Sequence, residues 1–175
     1  LIQLSNGKIK KQLKIKDGLR SNSINNIDID SFGNIWISTN SGLSKYDGRK
    51  IFTYTKDDGL PTNQIKSLIA DERGFVWFTS FSGLTRFDGK EAITYNEDQG
   101  LTKERIWGMS IAKGGPDNLI VIGIANYGLS VFDGQNFKNF TSENGLQDNR
   151  ITCTGIDSEG NIWIGTDGSG VLRFD

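Results

Sequence analysis

The chain has 175 residues, enough for one sizeable core. Its 20 Lys and Arg offset 21 Asp and Glu, and a net charge of −1 excludes the basic profile of a nucleic-acid or anionic-membrane binder. Gly at 22 against two Pro points to many tight turns, and no apolar run nears the roughly 18 residues of a membrane helix.

Internal repetition organises everything else. Gly-Leu recurs at Gly18-Leu19, Gly59-Leu60, Gly100-Leu101 and Gly145-Leu146, at spacings of 41, 41 and 45 residues. The repeats run over 17–57, 58–98, 99–143 and 144–175, and the whole chain, 1–175, reads as a single segment. Ahead of the first repeat, 8–15 aligns with an outer strand, and its Lys8, Lys10, Lys11, Lys14 and Lys16 read as the solvated face of a sheet edge. Within the first repeat, Ile24–Ile29 is the first strand and 30–33 a turn closed by Gly33. The apolar 34–39 is a second strand buried on both faces, and Gly42–Tyr46 a third. Asp47-Gly48 is a hairpin signal repeated at Asp88-Gly89 and Asp133-Gly134, and the more polar 51–55 is the outer strand. In the third copy, Val121 replaces the tryptophan found at Trp36, Trp77 and Trp163, and GGPDN lengthens the preceding turn. No segment holds a 3.6-residue apolar period, so essentially no helix is expected.

Four antiparallel strands repeated at about 41 residues match the blades of an all-β fold, the β-propeller, here with about four blades in a partial or reduced ring. Blades pack face to face, which makes Trp36, Trp77 and Trp163 filler between neighbours. Asp30, Asp71 and Asp157 read as turn residues, since their stretches lack the alternating oxygen ligands of a calcium loop. Cys153, within ITCTGI, is expected to be buried. The fourth copy stops after its third strand, so about 6–16 is expected to complete it, with 8–15 pairing to Val171–Phe174. That closure forms within one chain, between two chains or with further blades. An unclosed monomer would leave apolar faces in water.

The composite pattern, Gly-Leu, then N-x-I-x-x-I-x-x-D-x-x-G-x-I-W-I-G-T, then G-L-x-x-Y/F-D-G, resembles the two-component regulator propeller repeat. It is clearest in 22–48 and 149–175, good in 63–89 and weakest in the third copy. The resemblance implies the extracytoplasmic, periplasmic sensor region of a membrane-anchored bacterial hybrid histidine kinase, detecting nutrients such as oligosaccharides. It also implies rings of seven blades, needing about 290 residues each, so the chain reads as a fragment or a reduced propeller.

Function divides into two classes. The absence of His removes Ser-His-Asp and Cys-His schemes and imidazole metal sites, so an enzyme is not expected, and neither a cofactor nor a metal is called for. A ligand sensor would use the mouth face, where the loops between strands two and three meet those joining one blade to the next. That face holds Arg20, Asn22, Asn40, Thr62, Asn63, Phe81, Lys103, Arg105, Asn126, Tyr127, Asn149, Arg150 and Asp167. Of these, Arg20, Asn40, Phe81, Arg105, Asn126, Tyr127, Arg150 and Asp167 are the candidate ligand contacts: rings for apolar sugar faces, amides and guanidinium groups for hydroxyls. Trp107, the other non-repeated aromatic, reads as packing. A structural propeller would instead bind neighbouring blades or a second copy of the chain through an open face. Neither class calls for nucleic acid or for direct membrane insertion of this segment.

Overall fold

The computed structural model describes residues 1–102, 110–114 and 119–174, folded as antiparallel sheets joined by turns. A two-stranded hairpin comes first, β1 (Ile2–Ser5) and β2 (Lys8–Gln12). The first four-stranded blade contains β3 (Ile24–Ile29), β4 (Ile35–Thr39), β5 (Gly42–Tyr46) and β6 (Ile51–Tyr54). The second contains β7 (Ser67–Ala70), β8 (Val76–Ser80), β9 (Gly83–Phe87) and β10 (Ala92–Tyr95). The third contains β11 (Ser110–Gly114), β12 (Leu119–Ile124), β13 (Gly128–Phe132) and β14 (Phe137–Phe140). The fourth has three strands, β15 (Ile151–Ile156), β16 (Ile162–Thr166) and β17 (Val171–Phe174). Strands lie in chain order within every blade, and first strands contact one another in succession, β3 with β7, β7 with β11 and β11 with β15. The chain is a run of propeller blades.

The Gly-Leu motif ends a repeated turn after each outer strand. Backbone N–H groups of Lys14, Thr55, Asn96 and Thr141 donate to side-chain oxygens of Asp17, Asp58, Gln99 and Asn144 at 2.9, 2.9, 2.9 and 2.6 Å. In the first three cases the turn is a single-turn 3-10 helix, Ile15–Asp17, Lys56–Asp58 and Glu97–Gln99, where no helix was expected. Three residues are too few for a helical period to show in sequence. Gly59 then takes φ of 93°, which a residue with a Cβ adopts only under strain, and the leucines that follow are buried.

The second and third blades each bury the tryptophan of the blade before. Trp36, 1% exposed, stacks on Tyr54 with ring centroids 5.9 Å apart and meets Phe87 of the second blade at 6.3 Å. Trp77, 9% exposed, repeats this with Tyr95 at 6.0 Å and Phe132 of the third blade at 6.0 Å. The smaller Val121 packs with Leu129, Leu146, Ile151, Ile162 and Ile164, so the third junction lacks the tryptophan but keeps an aromatic pair, Phe140 and Phe174 with ring centroids 4.6 Å apart.

Two expectations are corrected at the ends of the run. Trp163 is not filler here: it is 43% exposed because no further blade covers its face of the fourth sheet. Cys153 is exposed for the same reason, since its partner in register is Gly165, two residues along β16 from Trp163. The expected pairing of 8–15 with Val171–Phe174 is not made within this chain. The β2 strand pairs with β1, and β17 with β16. Leu1 and Leu13 fix the hairpin against the first blade, where Leu13 joins Ile37 and Tyr46 in one apolar cluster and the Lys11 ammonium donates to the Tyr46 hydroxyl.

Candidate functional site

The mouth face is built on short loops whose shape is set by hydroxyl side chains. The Thr39 hydroxyl donates to the Gly42 carbonyl at 2.8 Å and accepts from the Ser41 N–H at 2.9 Å, which places Asn40 at the loop tip. The Ser80 hydroxyl accepts from the Ser82 N–H at 3.1 Å and places Phe81. In the fourth blade, Thr166 donates to the Gly170 carbonyl at 2.9 Å and accepts from the Ser169 N–H at 3.0 Å, with Asp167 exposed between them. Asn126 occupies the corresponding third tip, in the left-handed region at φ 62°.

Between blades, the repeated asparagines serve the fold. Asn22, Asn63 and Asn149 accept, through Oδ1, the backbone N–H of Ile15, Lys56 and Ser142 at 3.1, 2.8 and 2.6 Å. This separates them from the residues that vary.

Two polar groups form on the mouth face. At the junction of the first and second blades, Asn40 Oδ1 accepts from Asn25 Nδ2 at 2.9 Å and from Lys66 Nζ at 3.2 Å. Asn25 also donates across the junction to the Ile65 carbonyl at 2.7 Å, and Arg20 Nε reaches the Ser41 carbonyl at 3.4 Å. On the fourth blade, Arg150 grips Asp148 in two bonds, Nε to Oδ1 at 3.1 Å and Nη2 to Oδ2 at 2.9 Å. Ser169 donates to the same carboxylate at 2.8 Å, and the Arg150 carbonyl accepts from the Asp167 N–H at 2.8 Å. The hydrogen bonds from Arg150, with that of Ser169, hold the Asp148 carboxyl well below the usual carboxylate range, so the pair stays charged across ordinary pH.

Phe81, 46% exposed, presents a ring at the mouth. Tyr127 is a weaker candidate than its sequence position implies, because it is partly buried against the cluster of Trp77, Leu84, Ile122 and Ile124. Arg105, with Lys103 and Trp107, lies outside the described residues. Sequence reasoning missed Asn25, Lys66, Asp148 and Ser169. For Asp148 a signal existed: Ser21 and Thr62 hold its place in the first two repeats, so it varies as Phe81 does.

A second repeated device was read only in part. Asp30, Asp71 and Asp157 close their turns and also accept the indole N–H of Trp36, Trp77 and Trp163 at 2.9, 3.0 and 2.8 Å. Directly across from each tryptophan on the next strand stands a cation, Lys45, Arg86 or Arg173. In the third blade all three change together, to Gly114, Val121 and Val131 by register. Aspartate, indole and cation thus form one packing unit, and the sequence loses it as a unit.

Residues 18–41 and 145–168 match the model of the two component regulator propeller family, so the first and fourth copies carry that repeat. No curated protein matches the chain. Among solved structures, the extracellular domain assigned to a hybrid two component system of B. thetaiotaomicron superposes with a TM-score of 0.78 at 21% identity, over 99% of this chain and 24% of that one. The extracellular domain assigned to a one component system of the same organism gives 0.70 at 20% identity, over 93% and 25%. A catalytically inactive histidine-to-alanine variant of virginiamycin B lyase from Staphylococcus aureus, with quinupristin, gives 0.71 at 17% identity, over 97% and 60%. The chain spans about a quarter of the length of the two extracellular domains. Likeness at these identities establishes the propeller fold.

Proposed function

We propose that this chain is a ligand-sensing propeller segment of a bacterial two-component receptor, held on the periplasmic side of a membrane-anchored parent, and that its mouth face recognises an oligosaccharide or another small nutrient. One observation carries the reading. In a frame where most loop polar groups are spent on repeated turn bonds, the non-repeated Arg20, Asn25, Asn40, Lys66 and Phe81 gather beside the first two blades, and Asp148, Arg150 and Asp167 on the fourth. Amide, ammonium and guanidinium donors suit sugar hydroxyls, and an exposed ring suits the apolar face of a pyranose. The matched repeats at both ends of the run and the extracellular neighbours support the sensor setting. Turnover is not part of the proposal, since the lyase neighbour is inactivated by loss of a histidine and this chain contains none.

Calorimetric titration of oligosaccharide fragments tests it. Phe81→Ala and Asn40→Ala should weaken binding about fivefold, a single hydrogen bond or ring contact being worth about 1 kcal/mol, with unchanged melting. Trp77→Ala should instead cost about 3–5 kcal/mol of stability by opening a cavity at the second junction. A Trp77 variant that melts normally but loses binding would move the site to the repeated tryptophans and refute the assignment.

A second reading has its own observation, the uncovered face bearing Trp163 and Val171. At the other end, Ile27, Ile29, Ile35 and Tyr46 line an apolar groove. By register these are the positions that bury Trp36 and Trp77 at the internal junctions, so the two ends complement one another and a second copy of the chain fits between them.

A further inference from the structure

On the face opposite the mouth, a crevice of about 340 Å³ opens between the second and third blades. Arg73, Arg86 and Lys113 converge on it above Trp77, Tyr95 and Phe132. The repeat supplies an internal control for this composition. Arg73 stands where the first blade has Phe32, whose ring lies against the Gly74 backbone of its neighbour. Lys113 pairs with Ile120 as Ile29 pairs with Ile35, Ala70 with Val76 and Ile156 with Ile162, so it replaces a residue that is apolar in every other blade. At the preceding junction, Ala70 is buried in one cluster with Trp36. Among the described residues, then, both blades present a cation across this gap, where the preceding junction uses the apolar Phe32 and Ala70. A Lys at a packing position is costly without an anion to meet it.

The local carboxylates do not meet that need. Asp71 accepts from Trp77 Nε1 at 3.0 Å and from the Arg73 and Phe75 N–H groups at 2.9 Å each, and Asp133 accepts from the Gln135 and Asn136 N–H groups at 2.8 Å each. Glu72 lies at the rim and is exposed. Among the described residues, none of the three cations forms an ion pair. Arg86 instead lies over the rings of Phe75 at 4.7 Å and Trp77 at 5.9 Å, the aromatic stacking that a guanidinium favours.

We infer that this crevice binds a small, singly charged organic carboxylate with a flat ring, its carboxylate between Arg73 and Lys113 and its ring beside Trp77 and Tyr95. Guanidinium groups take carboxylates in two parallel bonds, and the aromatic wall takes a flat body. Asp71, Glu72 and Asp133 also line the crevice, so a monoanion meets less repulsion there than a dianion such as phosphate. The site goes beyond the mouth-face reading and uses none of its residues.

The test is a fluorine-NMR titration of the full chain with para-fluorobenzoate, beside para-fluorobenzamide as the neutral match. Saturable benzoate binding, about tenfold weaker for the benzamide, is expected, a charge-assisted bond being worth that much. Arg73→Phe with Lys113→Ala restores the residues of the preceding junction and should keep the melting transition while weakening benzoate about tenfold. Equal binding of the two probes by the unaltered chain, no saturable benzoate binding, or undiminished binding by the folded double variant would each overturn the inference. A mouth-face variant, Asn40→Ala, should leave benzoate binding unchanged, which separates this site from the proposed sugar site.

Discussion

The Asp157 carboxylate shows how one side chain joins turn, packing and pH. Its bond from the Trp163 indole, then that from Asn161, lowers its pKa from the ordinary 3.8 to about 2, against the opposing effect of partial desolvation. A folded-state value below the unfolded one means that the unfolded chain binds more protons between the two. The contribution is therefore complete above about pH 4 and is lost as pH falls toward 2. Denaturant unfolding at stepped pH should show the unaltered chain losing stability across that window by more than Asp157→Asn, which cannot titrate. A pH-independent difference between the two would contradict the assignment. The aspartates were legible as turn residues because turn chemistry is local. Their second bond was not, because it depends on an indole six residues away along a strand whose direction only the folded sheet sets. The loss of Asp, Trp and cation together in the third copy was the available clue.

At the scale of the element, the recurrent Gly-Leu is a chain reversal followed by an anchor. Gly59 has φ of 93° and open space where a Cβ would stand, so Gly59→Ala isolates backbone strain from crowding. It should cost about 1–2 kcal/mol, the penalty of the left-handed region, with no loss of mouth-face binding. Thermal melts beside calorimetry check this, and a neutral Gly59→Ala would show that the turn relaxes to another conformation. Strands and hairpins followed from the sequence closely, since alternation and Asp-Gly turns specify them within a few residues. The 3-10 turns did not, and neither did the partial burial of Tyr127, which packs against the cluster joining the second and third blades. Phe81 and Tyr127 look equivalent as loop aromatics in the sequence. Only packing between blades tells them apart.

For the whole molecule, the internal junctions set the rule by which the ends are to be judged. Trp36 and Trp77 are covered by the blade that follows, and Trp163 has no such cover within the chain. Sequence reasoning assigned all three the same role because the repeat gives each the same neighbours in the chain; exposure is decided by the next blade, which lies outside the repeat itself. It also assigned 8–15 to complete the fourth blade from its alignment with an outer strand and the strand that blade lacks; within this chain the hairpin packs instead on the first blade, with Leu13 beside Ile37 and Tyr46. On the second reading proposed above, the apolar Trp163 face of one copy would meet the groove at Ile27, Ile29, Ile35 and Tyr46 of another, head to tail. Light scattering after size exclusion, over a dilution series of the chain and its Trp163→Ser variant, tests most directly whether the blades stack in this order with that face uncovered. The account predicts concentration-dependent association of the unaltered chain and a monomer for the variant at the same concentrations. A soluble monomer at every concentration, indistinguishable from Trp163→Ser, would contradict it.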